Sequence, residues 1–452
     1  MGTSTPAISE APRLRRTLGL WDLILYGVIV IQPTAPMSVF GVLSQTGHGH
    51  VVTTILIAMV GMLFTAISYG RMARVYPSAG SAFTYVGQEV NSSLGFVTGW
   101  SMAMDYMLNP LICIIWCSKA AMNFAPQVPY MVWAVFFFAL FTVLNLRGMK
   151  ASARTNSVLA IGMGVVIAIF FIAAARYIFG HGHHDAQFYL RPFYDPQTFS
   201  TRALLGGTSL AVLTYIGFDG ISTLSEEAVN PRRNILLATV LTCVIIGLLS
   251  AVQVYAAQLI WPSNEAFPDV DTAFVHVAGR AAGPWLFALV NLTLLTANIG
   301  SGMGAHLGAA RLLYGMGRSN ALPSAFFGAV DAKRHIPRNS VIFVGVVALL
   351  GAALISYELG AEMLNFGALI AFIGVNLAAF MHYYVRASEK KLTHLLPPLL
   401  GMGICLVLWL NLSKPAKIAG AVWVVAGLIY GAIKTSGFRH DLINFDPPPE
   451  EA

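Results

Sequence analysis

The feature that most constrains this chain is a series of apolar runs, each about 20 residues long and nearly free of charge. Residues 51–68 and 158–175, for example, contain no Asp, Glu, Lys or Arg. About 20 residues of α-helix cross the hydrocarbon core of a bilayer. Of the 452 residues, 56% are hydrophobic and 10% are charged, whereas soluble domains carry about 25% charged residues. We therefore predict an all-α polytopic membrane protein rather than a large soluble α-protein.

Length and hydropathy predict about twelve transmembrane helices. The predicted spans are residues 18–45, 50–71, 94–124, 130–147, 154–180, 203–228, 234–261, 282–312, 339–357, 361–386, 393–412 and 416–434.

The loops between these spans alternate in charge. One set carries most of the basic residues, namely Arg13, Arg15, Arg16, Arg71, Arg74, Arg147, Lys150, Arg154, Arg232, Arg233, Arg318, Lys333, Arg334, Arg338, Arg386, Lys390, Lys391, Lys434 and Arg439. Because basic loops stay in the cytoplasm, both termini are predicted to be cytoplasmic, which requires an even number of spans. The net charge of +7 then reflects topology, and we expect no nucleic-acid partner. The predicted location is the plasma (inner) membrane.

Neither a cofactor nor a catalytic site is expected. The four cysteines, Cys113, Cys117, Cys243 and Cys405, all fall inside apolar segments and read as core residues. The run HGHHD at residues 181–185 is interpreted as a flexible polar loop, with metal binding as the alternative. The sequence contains no Walker A, HExxH or GxSxG run, so ATP-driven transport and membrane hydrolysis have no support.

Two of the predicted spans are interrupted. The first contains YGVIVIQPTAPMSVFG, in which Pro33 and Pro36 each remove a backbone donor. The sixth contains the run Gly217-Phe218-Asp219-Gly220. A matched pair of broken helices, each opening a set of five, indicates a transporter of inverted repeats that binds its substrate near the bilayer midplane. The alternative is that prolines and glycines only kink membrane helices.

Three segments resemble the amino acid–polyamine–organocation permeases. They are LFTAISYGRMARVYPSAGSAFTYVGQEVNSSLGFVTGWSMAMDYML, YIGFDGISTLSEEAVNPRRNI and ARLLYGMGRSNALP, and they are most similar to the putrescine importer group of that family. The resemblance covers about residues 15–385. It implies a fold of five plus five helices in inverted repeats (LeuT-like), with two extra C-terminal helices and alternating access.

This resemblance also implies the division of the chain. A cytoplasmic tail, residues 1–16, precedes a transporter core at 17–386, whose repeats are about 17–180 and 203–386. Two accessory helices follow at 387–434, and a second cytoplasmic tail occupies 435–452.

The predicted substrate site surrounds the two interruptions, because a broken helix exposes backbone groups and end charges to a ligand. The candidate residues are Ile31, Gln32, Pro33, Thr34, Asp105, Asn109, Gly217, Phe218, Asp219 and Gly220. Proline has no N–H to donate, so the element at 32–34 disfavours a carboxylate ligand. Asp219 is expected to pair with a substrate ammonium or to take up a proton, and a structural ion pair is the alternative. Phe218 is a candidate cation–π face or a core residue.

A coupling proton requires a carrier, and the candidates are Asp219, Asp105 and Glu226. Some proton-coupled relatives place a lysine in the fifth helix, but here the matching position is Met163, so that mechanism does not transfer. Asp105 and Asn109 share one helix face. We discount an ion pair of Asp105 with Lys119, because 14 residues separate them by about 21 Å along a helix.

The sequence therefore predicts a secondary transporter that imports an organic amine, either a putrescine-like polyamine or a cationic amino acid, with protons. A permease or exchanger for zwitterionic amino acids is the alternative, and a sensor or channel is a third possibility. The expected partners are the small-molecule substrate, the coupling proton and the lipid bilayer. The oligomeric state stays open.

Overall fold

The computed structural model describes residues 17–76, 81–148, 153–181, 185–225, 227–262, 265–318, 321–331, 334, 336–435 and 437. Helices make up nearly all of this part of the chain. They are α1 Leu20–Ile31, α2 Ala35–Thr46, α3 Val51–Val75, α4 Ser81–Glu89, α5 Ser92–Phe124, α6 Tyr130–Leu146, α7 Ala153–Gly180, α8 Ala186–Leu190, α9 Thr201–Ala211, α10 Pro231–Ile260, α11 Ala273–Ala282, α12 Pro284–Arg318, α13 Ser324–Phe327, α14 Arg338–Leu354, α15 Tyr357–Phe380, α16 Leu392–Leu410 and α17 Lys414–Lys434.

The helix lengths confirm a polytopic helical membrane protein. In the described residues, nine helical stretches are long and apolar enough to cross a bilayer, and α1 with α2 form a bent tenth. The stretches α6 and α14 are apolar but have only 17 residues each, at the lower end of the spanning range. The total reaches the predicted twelve if both of these also span, so the number twelve stays a prediction.

The helices define two faces of the bundle. On the first, here called the N-terminal face, Leu18 pairs with Ala228, and Tyr76 donates a hydrogen bond to Glu89. On the opposite face, Lys119 contacts Asp269. The described residues of two predicted basic loops, among them Arg71 and Arg386, lie on the N-terminal face, where α3 and α15 end and α16 begins. Which face lies in the cytoplasm stays a prediction.

The core of the bundle is built around α3, α5, α10, α12 and α15. Their contact surfaces carry small residues, which let the backbones approach closely. A side chain at Gly70 would meet the backbone of Leu236 at 2.6 Å, so α3 and α10 pack directly on each other there. The helices α1, α2 and α9 pack against these helices and contribute to the same core.

Candidate functional site

The first predicted interruption separates α1 from α2. The two helices meet at an angle of 47°, and Gln32, Pro33 and Thr34 lie between them. Gln32 adopts a φ of +70°, which side-chain-bearing residues rarely do. Pro33 and Pro36 have no N–H to donate, so the hydrogen-bond ladder of a single helix fails at this point.

Hydrogen bonds with two other helices hold this break in place. The Gln32 amide donates to the carbonyl of Ala297 in α12 at 2.8 Å. The Gln253 amide of α10 donates to the carbonyl of Pro33 at 2.9 Å, and Gln253 is completely buried. The Pro33 carbonyl at the break therefore has a protein donor, as the membrane interior requires of irregular backbone.

The second interruption follows α9. The helix gives way to a 3₁₀ turn at Val212–Thr214 and, after Gly217, to a 3₁₀ segment at Phe218–Leu224. Gly217 has a φ of +119°, where a residue with a side chain would be strained. The glycine therefore allows the chain to change direction at the depth of the first break.

The backbone of the second break engages the carboxylate of Asp219. The Gly217 N–H donates to Asp219 Oδ1 at 3.2 Å, and the Ser222 hydroxyl donates to the Asp219 carbonyl at 2.6 Å. The Asp219 side chain thus ties its own carboxylate to the backbone of Gly217, at the residue where the chain changes direction.

Both breaks open onto one cavity of about 420 Å³. Its lining residues come from α1, α5, α7, α12 and the second break. They are Tyr26, Ile29, Val30, Gln32, Pro33, Asp105, Tyr106, Asn109, Leu159, Ala160, Met163, Ile216, Gly217, Asp219, Gly220, Ala297, Gly300, Ser301, Gly304 and Ala305. Most of them lie at the breaks or on the N-terminal side of the breaks, so the cavity extends toward that face.

The charges lining this cavity are all negative. Asp105 and Asp219 contribute carboxylates, and no Lys, Arg or His lines it within the described residues. Asp105 is 8% exposed, and its carboxylate has no hydrogen bond or ion pair with any described residue. A carboxylate in such a place requires a cationic partner or a proton.

Seven of the ten predicted site residues line the cavity: Gln32, Pro33, Asp105, Asn109, Gly217, Asp219 and Gly220. Ile31 and Thr34 are buried behind it, and the Thr34 hydroxyl contacts Met163 Sδ at 3.7 Å. Phe218 is completely buried and packs on Tyr69 and Phe372, with ring centroids 5.6 and 5.4 Å away. Phe218 is therefore a core residue and not a cation–π face of the cavity, which were the two alternatives for it.

The sequence did not reveal two contributors to this site. Tyr26 lines the cavity from α1, and Gln253 supports the first break from α10. The spacing of Tyr26 and Val30 on one helix face would have indicated the first. Nothing in the sequence pairs Gln253 with Pro33, because the contact joins residues 220 positions apart.

The sequence analysis also discussed Lys119, Met163 and Glu226. Lys119 forms an ion pair with Asp269 at 3.1 Å on the opposite face, so it is not a partner of Asp105. Met163 lines the cavity where some relatives carry a lysine. Glu226 and the middle of the HGHHD run lie outside the described residues.

Comparison with known proteins shows the family of this chain. A model of the amino acid permease family matches residues 18–439. The low-affinity putrescine importer PlaP of Escherichia coli is 34% identical over 98% of both chains. The branched-chain amino acid permease BcaP of Bacillus subtilis is 24% identical over 94% of both. The vacuolar cationic amino acid transporter 4 of Arabidopsis thaliana is 25% identical over 84% of this chain and 65% of its own.

The chain is thus a multi-pass helical membrane protein with a cavity between two broken helices, and its family and its relatives are membrane transporters. This chain belongs to the amino acid permease family, and the three relatives described above are named as transporters of putrescine or amino acids.

Proposed function

We propose that this protein imports a small organic amine, either a putrescine-like polyamine or a cationic amino acid, by alternating access coupled to protons. The observation that carries the proposal is the charge of the cavity. It holds two carboxylates and no basic side chain within the described residues, and Asp105 has no protein partner. A substrate ammonium would supply the missing charge and donate hydrogen bonds to it.

The backbone at the first break supports an amine over an amino acid. A substrate carboxylate would need N–H donors at the start of α2. Pro33 and Pro36 have none, while the Ala35 and Met37 N–H groups already donate to the carbonyls of Gln32 and Thr34 at 3.0 Å. The relative named a putrescine importer has 34% identity, compared with 24% for the branched-chain amino acid permease.

The shape of the cavity supports alternating access. It extends toward the N-terminal face, whereas polar contacts join the helices on its other side. The Asn298 amide donates to the Ser38 hydroxyl at 3.1 Å, and the Asn291 amide donates to the Ala120 carbonyl at 2.8 Å. With the N-terminal face in the cytoplasm of a plasma membrane, this arrangement corresponds to an inward-facing state. The two five-helix repeats, about 17–180 and 203–386, would rock around the breaks.

Proton coupling is the second part of the proposal. Asp105 and Asp219 line one cavity and interact electrostatically, so binding of one cation or one proton at either affects the other. A substrate and a proton that occupy this pair in turn would couple their movements. A membrane potential of 100 mV adds about 2.3 kcal/mol per positive charge to import.

The test is uptake into proteoliposomes that contain the purified protein. We expect saturable, concentrative uptake of labelled putrescine, stimulated by an inwardly directed proton gradient. Unlabelled lysine should compete if the site accepts cationic amino acids. Uptake of alanine without competition by putrescine would instead establish a zwitterion permease. Equilibration without accumulation against a gradient would establish a channel.

A further inference from the structure

A second group of polar side chains lies on the N-terminal face, away from the transport cavity. Arg71 and Arg74 end α3, His394 belongs to the first turn of α16, and Tyr383 follows α15. The Arg71 guanidinium carbon lies 5.9 Å from the centre of the Tyr383 ring, and the rings of Tyr383 and His394 are 5.6 Å apart. We call these four residues the Tyr383 cluster.

The Tyr383 cluster contains hydrogen-bond donors without acceptors. Arg71 Nη2 donates to the Thr393 carbonyl at 3.0 Å, but Arg71 Nη1 and Arg74 Nε are buried without a protein acceptor. His394 Nδ1 is likewise buried and unpartnered. A buried charged donor without an acceptor costs several kcal/mol. The two arginine donors, beside a histidine nitrogen that donates in one of its tautomers, therefore indicate a ligand that accepts hydrogen bonds.

No carboxylate of the described residues neutralises Arg71 or Arg74. The nearby acid, Glu89, accepts hydrogen bonds from His382 Nδ1 at 2.6 Å, from Tyr76 at 2.7 Å and from Arg386 at 2.8 Å. Burial alone would raise the pKa of Glu89, but these donors keep its pKa below the usual value. Glu89 is thus committed elsewhere, and the two arginines retain uncompensated positive charge.

The surroundings of the cluster describe the ligand. Leu392, Leu396 and Leu400 form a stripe along α16 and are 68%, 49% and 44% exposed, as expected of a lipid-facing surface. The N-terminus of α16 adds partial positive charge beside His394. Tyr383 and His394 also line a cavity of about 580 Å³ on this face, together with Arg386, Lys391 and the carboxylates of Glu89 and Glu389, whereas Arg71 and Arg74 lie outside its lining.

We propose that the Tyr383 cluster binds a phosphate group, supplied by the headgroup of an anionic phospholipid whose acyl chains lie along α16. Arginine matches phosphate in charge and in hydrogen-bond geometry. The site lies where the end of α3 meets the start of α16, so an occupied site would hold these two helices together. It is independent of the proposed substrate.

The test measures the melting temperature of the purified protein in a neutral detergent. Vesicle lipids with phosphatidylglycerol, vesicle lipids with phosphatidylcholine only, and glycerol 3-phosphate are compared. We expect phosphatidylglycerol to raise the melting temperature most. The double variant Arg71→Gln/Arg74→Gln should bind it about tenfold more weakly, because each arginine near an anionic surface contributes a few-fold in affinity. Native mass spectrometry should detect one fewer bound anionic lipid on the double variant than on the native protein.

The matched control is Arg147→Gln, an exposed arginine on the same face that is outside the cluster. Equal losses in Arg147→Gln and in the double variant would reduce the effect to general surface charge and overturn the proposal. Equal stabilisation by phosphatidylcholine would also overturn it. A full effect of glycerol 3-phosphate would retain the phosphate site and reject the lipid as its source. If the double variant does not fold, the single variant Arg74→Gln is compared with Arg147→Gln in the same way.

Discussion

Asp105 and Asp219 line the same cavity but have different protein environments. The Asp219 carboxylate accepts a hydrogen bond from the Gly217 N–H at 3.2 Å and belongs to the turn that forms the second break. Asp105 lies on the regular helix α5 and has no hydrogen bond or ion pair with any described residue. Both are 8% exposed, so burial does not distinguish them.

This difference separates two uses of a buried acid. A carboxylate held by backbone N–H groups is already partly stabilised, and it shapes the chain around it. A carboxylate without a partner on a rigid helix is available to an external cation or proton. We therefore propose that Asp105 makes the principal substrate contact, and that Asp219 sets the geometry of the break and contributes a secondary charge.

The largest effect should come from Asp105→Asn. Removing one partner of a buried charge pair costs about 2–5 kcal/mol, so we expect uptake of putrescine to fall about 100-fold. The asparagine matches the aspartate in size, so folding should be preserved. Uptake into proteoliposomes and substrate-induced thermal stabilisation measure the two effects separately.

The control for this variant is Asp22→Asn, the same chemical change at an exposed position in the first turn of α1. It should leave uptake unchanged. Near-normal uptake by Asp105→Asn would contradict the assignment and move the principal contact to Asp219.

The second largest effect should be the loss of stability in Gly217→Ala. A Cβ at this position would lie 3.1 Å from Val30 and 3.2 Å from Ile31, and the φ of +119° is strained for alanine. We expect a loss of about 2 kcal/mol, seen as a lower melting temperature. Gly220→Ala is the control, because a Cβ there would meet only Tyr26, at 3.9 Å. Equal melting temperatures of the two variants would contradict a required left-handed turn.

Asp219→Asn should have a smaller effect than Asp105→Asn. The asparagine oxygen still accepts the hydrogen bond from Gly217, so the break is retained, and only the charge is lost. We expect uptake to fall about tenfold, because the interaction energy of one screened charge pair in a protein is of that order. The dependence of uptake by Asp219→Asn on an imposed proton gradient shows whether the Asp219 charge carries the coupled proton. A variant that still accumulates substrate with an unchanged gradient dependence would exclude Asp219 as the proton carrier.

The sequence predicted the helices and the positions of both breaks because these features are local. Apolar length gives each membrane helix, and Pro33, Pro36 and Gly217 carry their backbone restrictions with them. Every predicted span has a helical counterpart within a few residues, although the predictions passed over α4, α8, α11 and α13, which are too short to span. Of the predicted site residues, those with polar or special backbone chemistry line the cavity, with the exception of Thr34.

What the sequence could not give depends on contacts between distant parts of the chain. Phe218, beside Asp219, is of the residue type that forms cation–π contacts. Its ring nevertheless packs on Tyr69 and Phe372 in the core. The support of Pro33 by Gln253 and the pairing of Lys119 with Asp269 arise only when helices assemble. A residue's type indicates what it is able to bind, whereas its direction follows from packing.

A third acid extends the comparison to the opposite face, outside the predicted spans. Asp271 lies 3.9 Å from Lys119, and its side chain is 21% exposed. Burial raises its pKa, the neighbouring charge of Asp269 adds to this, and Lys119 compensates only in part, so the pKa is about 6. Asp271 thus resembles the cavity acids in its burial but differs from Asp105 in having a cationic partner.

The smallest predicted effect is therefore a pH dependence of stability that Asp271→Asn removes. Because the folded-state pKa lies above the unfolded value of about 4, the folded protein binds the proton more tightly. The stabilisation by this proton is complete below pH 4 and is lost as the pH rises through 6. From pH 7 to pH 5 the native protein should gain about 1 kcal/mol relative to the variant. The melting temperatures of both proteins at pH 5, 6 and 7 measure this gain, and parallel curves would mean that Lys119 keeps Asp271 ionised throughout.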